Sequence, residues 1–210
     1  MKTPEHPIFL ESIKYIRSRL DFAGLDKVQQ SILERIIHSS GDLSLQSSLK
    51  FSAGACEKAI EALKNGATIL TDTYMAESAI SPMAQRTLNS DVQCILEMAP
   101  KCIDSTSTTR SSIGMRSKWL DFEKKDKCSE APIVVIGSAP TALMSLLDLI
   151  ELGSKIPSLI IGMPVGFIGV SESKIRLLKS KCSYIILKGS RGGASIAAAT
   201  MNALLRAADS

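Results

Sequence analysis

Arg35 and His38, in the run Arg35-Ile36-Ile37-His38, are the side chains best suited by type and spacing to acid/base work on an anionic ligand. On a helix, residues three apart project from one face and reach the same ligand. Histidine gives and takes a proton near neutrality. A guanidinium meets a carboxylate in a two-pronged geometry. Ser39-Ser40-Gly41 follows and reads as a helix end, a place where the backbone dipole favours a cation. The bland alternative for His38 is a polar helix-end residue bonded to backbone. The other histidine, His6, precedes Pro7 in a polar N-terminal segment where solvent is expected.

Further polar candidates carry two readings each. Arg110, between Thr109 and Ser111, suits either a ligand carboxylate or a surface ion pair. Asp72, at a strand end, either orients a partner or caps the following turn, and the cap is favoured; Glu77 is either site or surface. The five cysteines (Cys56, Cys94, Cys102, Cys128, Cys182) form no CxxC and have no paired histidines. Neither a protein metal site nor a redox dithiol is therefore expected, and reduced thiols fit a cytoplasmic protein. The net charge of +4, from 25 Lys and Arg against 21 Asp and Glu, is mildly basic without a dense cationic stripe. An anionic small molecule suits that balance better than nucleic acid. The N-terminal stretch has scattered charges and no apolar leader, and the apolar stretches around Ile133 to Leu147 and Leu159 to Val170 are broken by Gly and Pro. No signal peptide and no membrane span are expected.

These residues need a scaffold. A chain of 210 residues, 45% hydrophobic, can bury one core, and residues 1–210 read as a single domain. Apolar residues at helical spacing predict helices over Ile8 to Leu20 and Asp26 to His38. A helix from Ala53 to Lys64 stops at Asn65-Gly66, and Ala67 to Leu70 follows as a strand. Val92 to Leu96 is a second strand, and Thr109 to Phe122 a helix. A charged stretch, Asp121 to Glu130, leads into the clearest strand, Ile133 to Ile136. Pro140 opens a helix that Gly153 ends. Strand SLIIG, a helix capped at Ser171-Glu172, strand YIILK and a helix from Ala194 to Ala207 complete the pattern. Such alternation predicts an α/β fold: three layers, α/β/α, around a mainly parallel sheet of about five strands. Function then belongs at the carboxyl ends of the strands. Three loops there, GSAPTAL, GMPVGF and KGSRGGAS, bring Gly or Pro to a helix N-terminus, which suits either a tight turn or an anion.

The stretches HPIFLESIKYI, ERIIHSSGD, GATILTDTYMA, TRSSIGM, VVIGSAPTALMSLL, IIGMPVGFIGVSESK and KGSRGGASIAAATMNAL, in this order, resemble the precorrin-8X methylmutases over nearly the whole chain. The resemblance implies a cobalamin-biosynthetic isomerase that moves a methyl group between neighbouring ring carbons. Its substrate would be precorrin-8X, or cobalt-precorrin-8 in the anaerobic branch, and its product hydrogenobyrinate or cobyrinate. It further implies a homodimer, with His38 catalytic and Arg35 and Ser12 touching substrate. The family's Gly-Arg pair before its terminal Gly-Gly is here Gly189-Ser190-Arg191, which moves the cation one position later and leaves Arg191 a candidate contact. No cofactor is implied. A noncatalytic tetrapyrrole carrier would keep the fold and pocket, but the Arg35 and His38 pair favours the enzyme. A nucleotide-binding enzyme would need a GxGxxG or a Walker lysine, and neither is present.

Overall fold

The apolar runs and helical stripes condense in chain order, as seen in a computed structural model that describes residues 6–103, 108–125 and 130–210. The first half holds α1 (Pro7–Arg17), α2 (Lys27–Ser40), β1 (Leu49–Phe51), α3 (Ala55–Lys64), β2 (Ile69–Thr71), α4 (Tyr74–Arg86) and β3 (Val92–Cys94). The second holds α5 (Arg110–Lys125), β4 (Ile133–Ile136), α6 (Pro140–Glu151), β5 (Leu159–Gly162), α7 (Val170–Lys179), β6 (Tyr184–Leu187) and α8 (Ala194–Ala208). The expected charged stretch from Asp121 to Glu130 lies partly outside the described residues, as does Cys128.

The sheet order is β1-β6-β5-β4-β2-β3, parallel throughout except for the antiparallel pairing of β1 with β6. Every residue of β4 and β5 is buried, because helices cover both faces. On one face Ile69, Ile133, Val135, Ile161 and Ile185 meet apolar residues of α1 to α4 and α8. On the other, Leu70, Val134, Ile136, Ile160 and Ile186 meet Met115 and Trp119 of α5, Leu143 and Leu146 of α6, and Leu177 of α7. These are the three expected layers.

The sheet has six strands instead of about five. Strand β1 is three residues long with an exposed lysine at its centre, too short for an alternation signal. Its register is nonetheless firm: Leu49 faces Leu187, and the Lys188 N–H donates to the Ser48 carbonyl at 2.9 Å. Helix α4 was also absent from the sequence pattern, since Pro82 inside it reads as a breaker. Proline removes one N–H from a helix. Here Thr73 caps the start and Ala76, Ile80, Met83 and Ala84 pack inward, which outweighs that loss. The expected cap at Ser171-Glu172 is corrected as well: α7 begins two residues earlier, at Val170 after Gly169 at φ 72°, without a side-chain cap.

The loops after β4 and β6 meet backbone to backbone. A Cβ on Gly137 would lie 2.7 Å from the Ala194 Cα and 2.8 Å from its nitrogen, and backbone cannot step aside as a side chain can. Gly137→Ala is expected to cost about 1–3 kcal/mol, the usual range for overpacking, read as a lower urea midpoint at unchanged slope. An unchanged midpoint would mean that the loops are not in contact in solution.

Candidate functional site

Helix α1 starts at Pro7, with the His6 ring Nδ1 accepting the Ile8 N–H at 3.2 Å, so His6 is an exposed cap residue. Ile13 and Ile16 are buried, which fixes the face turned to α2 and leaves Ser12 half-buried at its border. Helix α2 begins with a reciprocal capping box. Asp26 accepts the Val28 and Gln29 N–H groups at 2.7 and 2.9 Å, and the Gln29 side chain accepts the Asp26 N–H at 3.3 Å. It stops at Gly41, whose φ of 67° suits glycine and whose N–H donates to the Ile37 carbonyl at 2.8 Å. The two helices are clamped where Arg17 donates to Glu34 through Nε at 2.6 Å and Nη2 at 3.1 Å, a two-pronged pair.

This clamp leaves a groove of about 520 Å³ between α1 and the end of α2. Ile16 and Ile37 line it with Leu43, and Ser12, Glu11, Tyr15, His38 and Gly41 add polar groups, an aromatic ring and backbone. Ser12 and His38 are therefore brought together. His38 is exposed, in the last turn of α2, and its ring stands edge-on to Phe9 with centroids 5.1 Å apart at 82°. Arg35 is half-buried and does not line the groove; its guanidinium carbon lies 5.5 Å from the Phe9 ring centroid. Phe9 thus orients both members of the Arg35 and His38 pair, one by a cation–π contact and one by an edge contact.

Arg191 joins this region from the β6–α8 loop. Its Nη1 donates to Asp42 Oδ2 at 2.6 Å and to the Ser44 hydroxyl. Asp42 Oδ1 in turn accepts the Ser44 N–H at 2.9 Å. The Ser44 hydroxyl and N–H, with the Arg191 charge, hold the Asp42 carboxyl below its usual range. The pair is solvent-exposed and screened, so its weight is geometric: it ties the loop at the sheet's carboxyl end to the segment just after His38. The neighbouring loops reinforce the tie. Gly166 N–H donates to the Ser190 carbonyl at 3.0 Å, and Gly193 N–H to the Met163 carbonyl at 2.9 Å.

The other candidates sit apart from the groove. Arg110 begins α5 on the opposite helical layer, and its Nε donates to the Pro100 carbonyl at 2.9 Å. Asp72 is fully buried, and its Oδ2 accepts the N–H groups of Ser138 and Ala139 at 2.6 and 2.7 Å. It is a cap, but of the loop leading into α6 across the sheet; Thr73 serves the turn that follows. Burial pushes the Asp72 carboxyl up, against those N–H bonds. Burial and the nearby Glu97 charge also push up Glu77, which lies half-buried by the end of β3. Cys56, Cys94 and Cys182 are buried and free, and burial drives the Cys56 thiol up to about 12. Among the described residues no group of three or more His, Cys, Asp or Glu is placed to hold a metal ion, and no helix is long and apolar enough to cross a membrane. Sequence reasoning missed Phe9 and Asp42. An aromatic residue at the border of an amphipathic helix carries no signal of its partners, and a residue after a helix stop reads as a simple turn.

The three-layer fold with its histidine groove beside the carboxyl ends of parallel strands is that of an α/β enzyme. Residues 7–207 match the family model described as "Precorrin-8X methylmutase". A cobalt-precorrin-8 methylmutase of Synechocystis is 36% identical over 96% of this chain and 95% of its own. A precorrin-8X methylmutase of Pseudomonas aeruginosa is 35% identical over 94% and 93%. A crystal structure of a precorrin-8X methylmutase from Thermus thermophilus superposes with a TM-score of 0.84 at 30% identity, covering 96% and 95% of the two chains. The chain belongs to the precorrin-8X methylmutase family, and it is an isomerase of cobalamin biosynthesis.

The Phe9 contact can be tested directly, since the chain has only 2 histidines. Phe9→Ala should shift the His38 ring-proton resonances in NMR by removing the ring beside them, leave those of His6 in place, and cost roughly 1–2 kcal/mol for a half-buried aromatic. Unmoved His38 resonances would place Phe9 elsewhere in solution.

Proposed function

We propose that the protein moves a methyl group between adjacent ring carbons of precorrin-8X or cobalt-precorrin-8, giving hydrogenobyrinate or cobyrinate, with His38 as general acid/base. The observation that carries this reading is the exposed His38 imidazole in a groove shared with Ser12, its ring fixed by Phe9. Methyl migration around a conjugated macrocycle needs charge to develop on the ring and then to be withdrawn. A positioned imidazole supplies a proton and recovers it. The change is an isomerisation, so every substrate atom reappears in the product and no co-substrate is consumed. Any cobalt travels with the substrate, held by the macrocycle's own nitrogens.

Ser12, Arg35 and Arg191 would meet the periphery of the ring, where carboxylate arms suit guanidinium donors. Arg110 is a candidate for a more distant arm. The exposed apolar Ile8 and Leu10 with Tyr15 along α1, beside the groove, support a homodimer that covers them. A cytoplasmic setting fits the unpaired thiols of Cys56, Cys94, Cys102 and Cys182.

The test is the visible spectrum of the chromophore on mixing with each substrate, because an isomerase changes it with time whereas a carrier only binds. His38→Ala should lower kcat on the order of a hundredfold or more while product affinity, by absorbance titration, changes far less. Arg35→Ala should do the reverse, weakening product binding by roughly 1.5–3 kcal/mol, as for a lost charge-assisted hydrogen bond. Near-wild-type turnover in a folded His38→Ala variant would assign the proton to another group. Sedimentation at micromolar concentration is expected to give a dimer, and a fully active monomer would remove that claim.

A further inference from the structure

Lys174 on α7 is 1% exposed, the one buried lysine or arginine among the described residues, in a mostly apolar layer. Among the described residues it has no carboxylate partner. Its ammonium donates instead to two carbonyls of one loop, Gly189 at 2.8 Å and Arg191 at 2.6 Å. Burial draws its pKa down from 10.5 to about 8, so the position is costly for a cation. A methionine would fill the same space without that cost. What the ammonium adds is a pair of directed donors: one holds the backbone of Arg191, whose side chain reaches Asp42 and Ser44 behind His38, and the other holds Gly189 two residues before it.

We propose that Lys174 is a positioning residue of the isomerase: by tying the Gly189 and Arg191 carbonyls it sets the loop from which Arg191 meets both the helix end at Asp42 and the substrate. The geometry leaves little else for it to do. The Arg191 carbonyl turns inward to Lys174 while its side chain turns outward to Asp42, so one residue is held at both ends. The Gly166 N–H holds the intervening Ser190 carbonyl from the β5 side. The loop thus has three consecutive carbonyls engaged, two of them by a single buried amine. This rests on the substrate role proposed for Arg191.

The experiment is a double-mutant cycle with precorrin-8X and cobalt-precorrin-8 followed by absorbance. Lys174→Met should raise KM by roughly tenfold, with kcat within about threefold of wild type. Arg191→Ala should raise KM to a similar degree, and the double variant should be no worse than the worse single one, as for residues acting through one contact chain. A merely structural lysine would give losses that multiply. If Lys174→Met does not fold, Lys174→Gln, which keeps a donor to one carbonyl, is expected to show a smaller rise in KM that still vanishes in the Arg191→Ala background. Multiplying losses, an unchanged KM in a folded Lys174→Met, or failure of both variants to fold would each overturn the proposal. A wild-type protein without turnover on either substrate would instead count against the isomerase reading of the groove.

Discussion

Backbone touches backbone where the loops after β4, β5 and β6 meet, and the rest of the site depends on that closeness. Gly137 lies against Ala194, and Gly192 against the carbonyls of Met163 and Pro164, with no space for a side chain at either glycine. Because the loops interlock, the starts of α6, α7 and α8 are placed by main-chain contacts. The N-cap residues of these helices, Ala139, Gly169 and Gly193, carry no side-chain acceptor, so none has a side-chain hydrogen-bond cap of its own. Asp72, arriving from β2, supplies part of what is missing by accepting two N–H groups just before α6. The carboxyl end of the sheet is therefore a rigid frame.

The histidine groove hangs from that frame by few ties. The Arg17 and Glu34 pair holds α1 to α2, Phe9 spans Arg35 and His38, and Arg191 grips Asp42 beyond the helix end. All three involve partly exposed groups, where water and salt weaken charge. The stability of the layer comes from elsewhere. Ile32, Leu33, Ile36 and Ile37 are almost wholly buried, at about 1.5–3 kcal/mol each for such side chains. Apolar burial supplies the energy and the polar ties supply the aim.

Much of this was legible in the sequence. Ile133 to Ile136, SLIIG and YIILK read as buried strands because each is a continuous apolar run bounded by turn residues. RIIH announced an Arg and His pair because its spacing matches a helix face. Strand β1 was hidden because three residues around an exposed lysine carry no period, and α4 because a local breaker, Pro82, is overruled by burial on both sides of it. Lys174 shows a different limit. It occupies the buried stripe with Val170, Ser173 and Leu177, so the period marks it as inward-facing. Yet a lysine is read by default as solvent-facing, and only the fold reveals the carbonyls that receive it. Separation of Arg110 from the groove has the same origin: which helical layer a residue joins is decided by crossovers that local sequence does not record.

Strand β1 and helix α2 also set the order in which the molecule can be made. Helix α2 is covered by α1 on one side but most extensively by α8, from the far end of the chain, and β1 has no partner until β6 exists. On the ribosome, then, the histidine-bearing helix emerges long before α8, its row of isoleucines waiting while more than half the chain is synthesised. Contacts so distant in sequence make folding slow and leave that apolar row open to aggregation in the interval. Expression yield should accordingly respond more to chaperone supply and growth temperature than the stability of the finished fold would suggest.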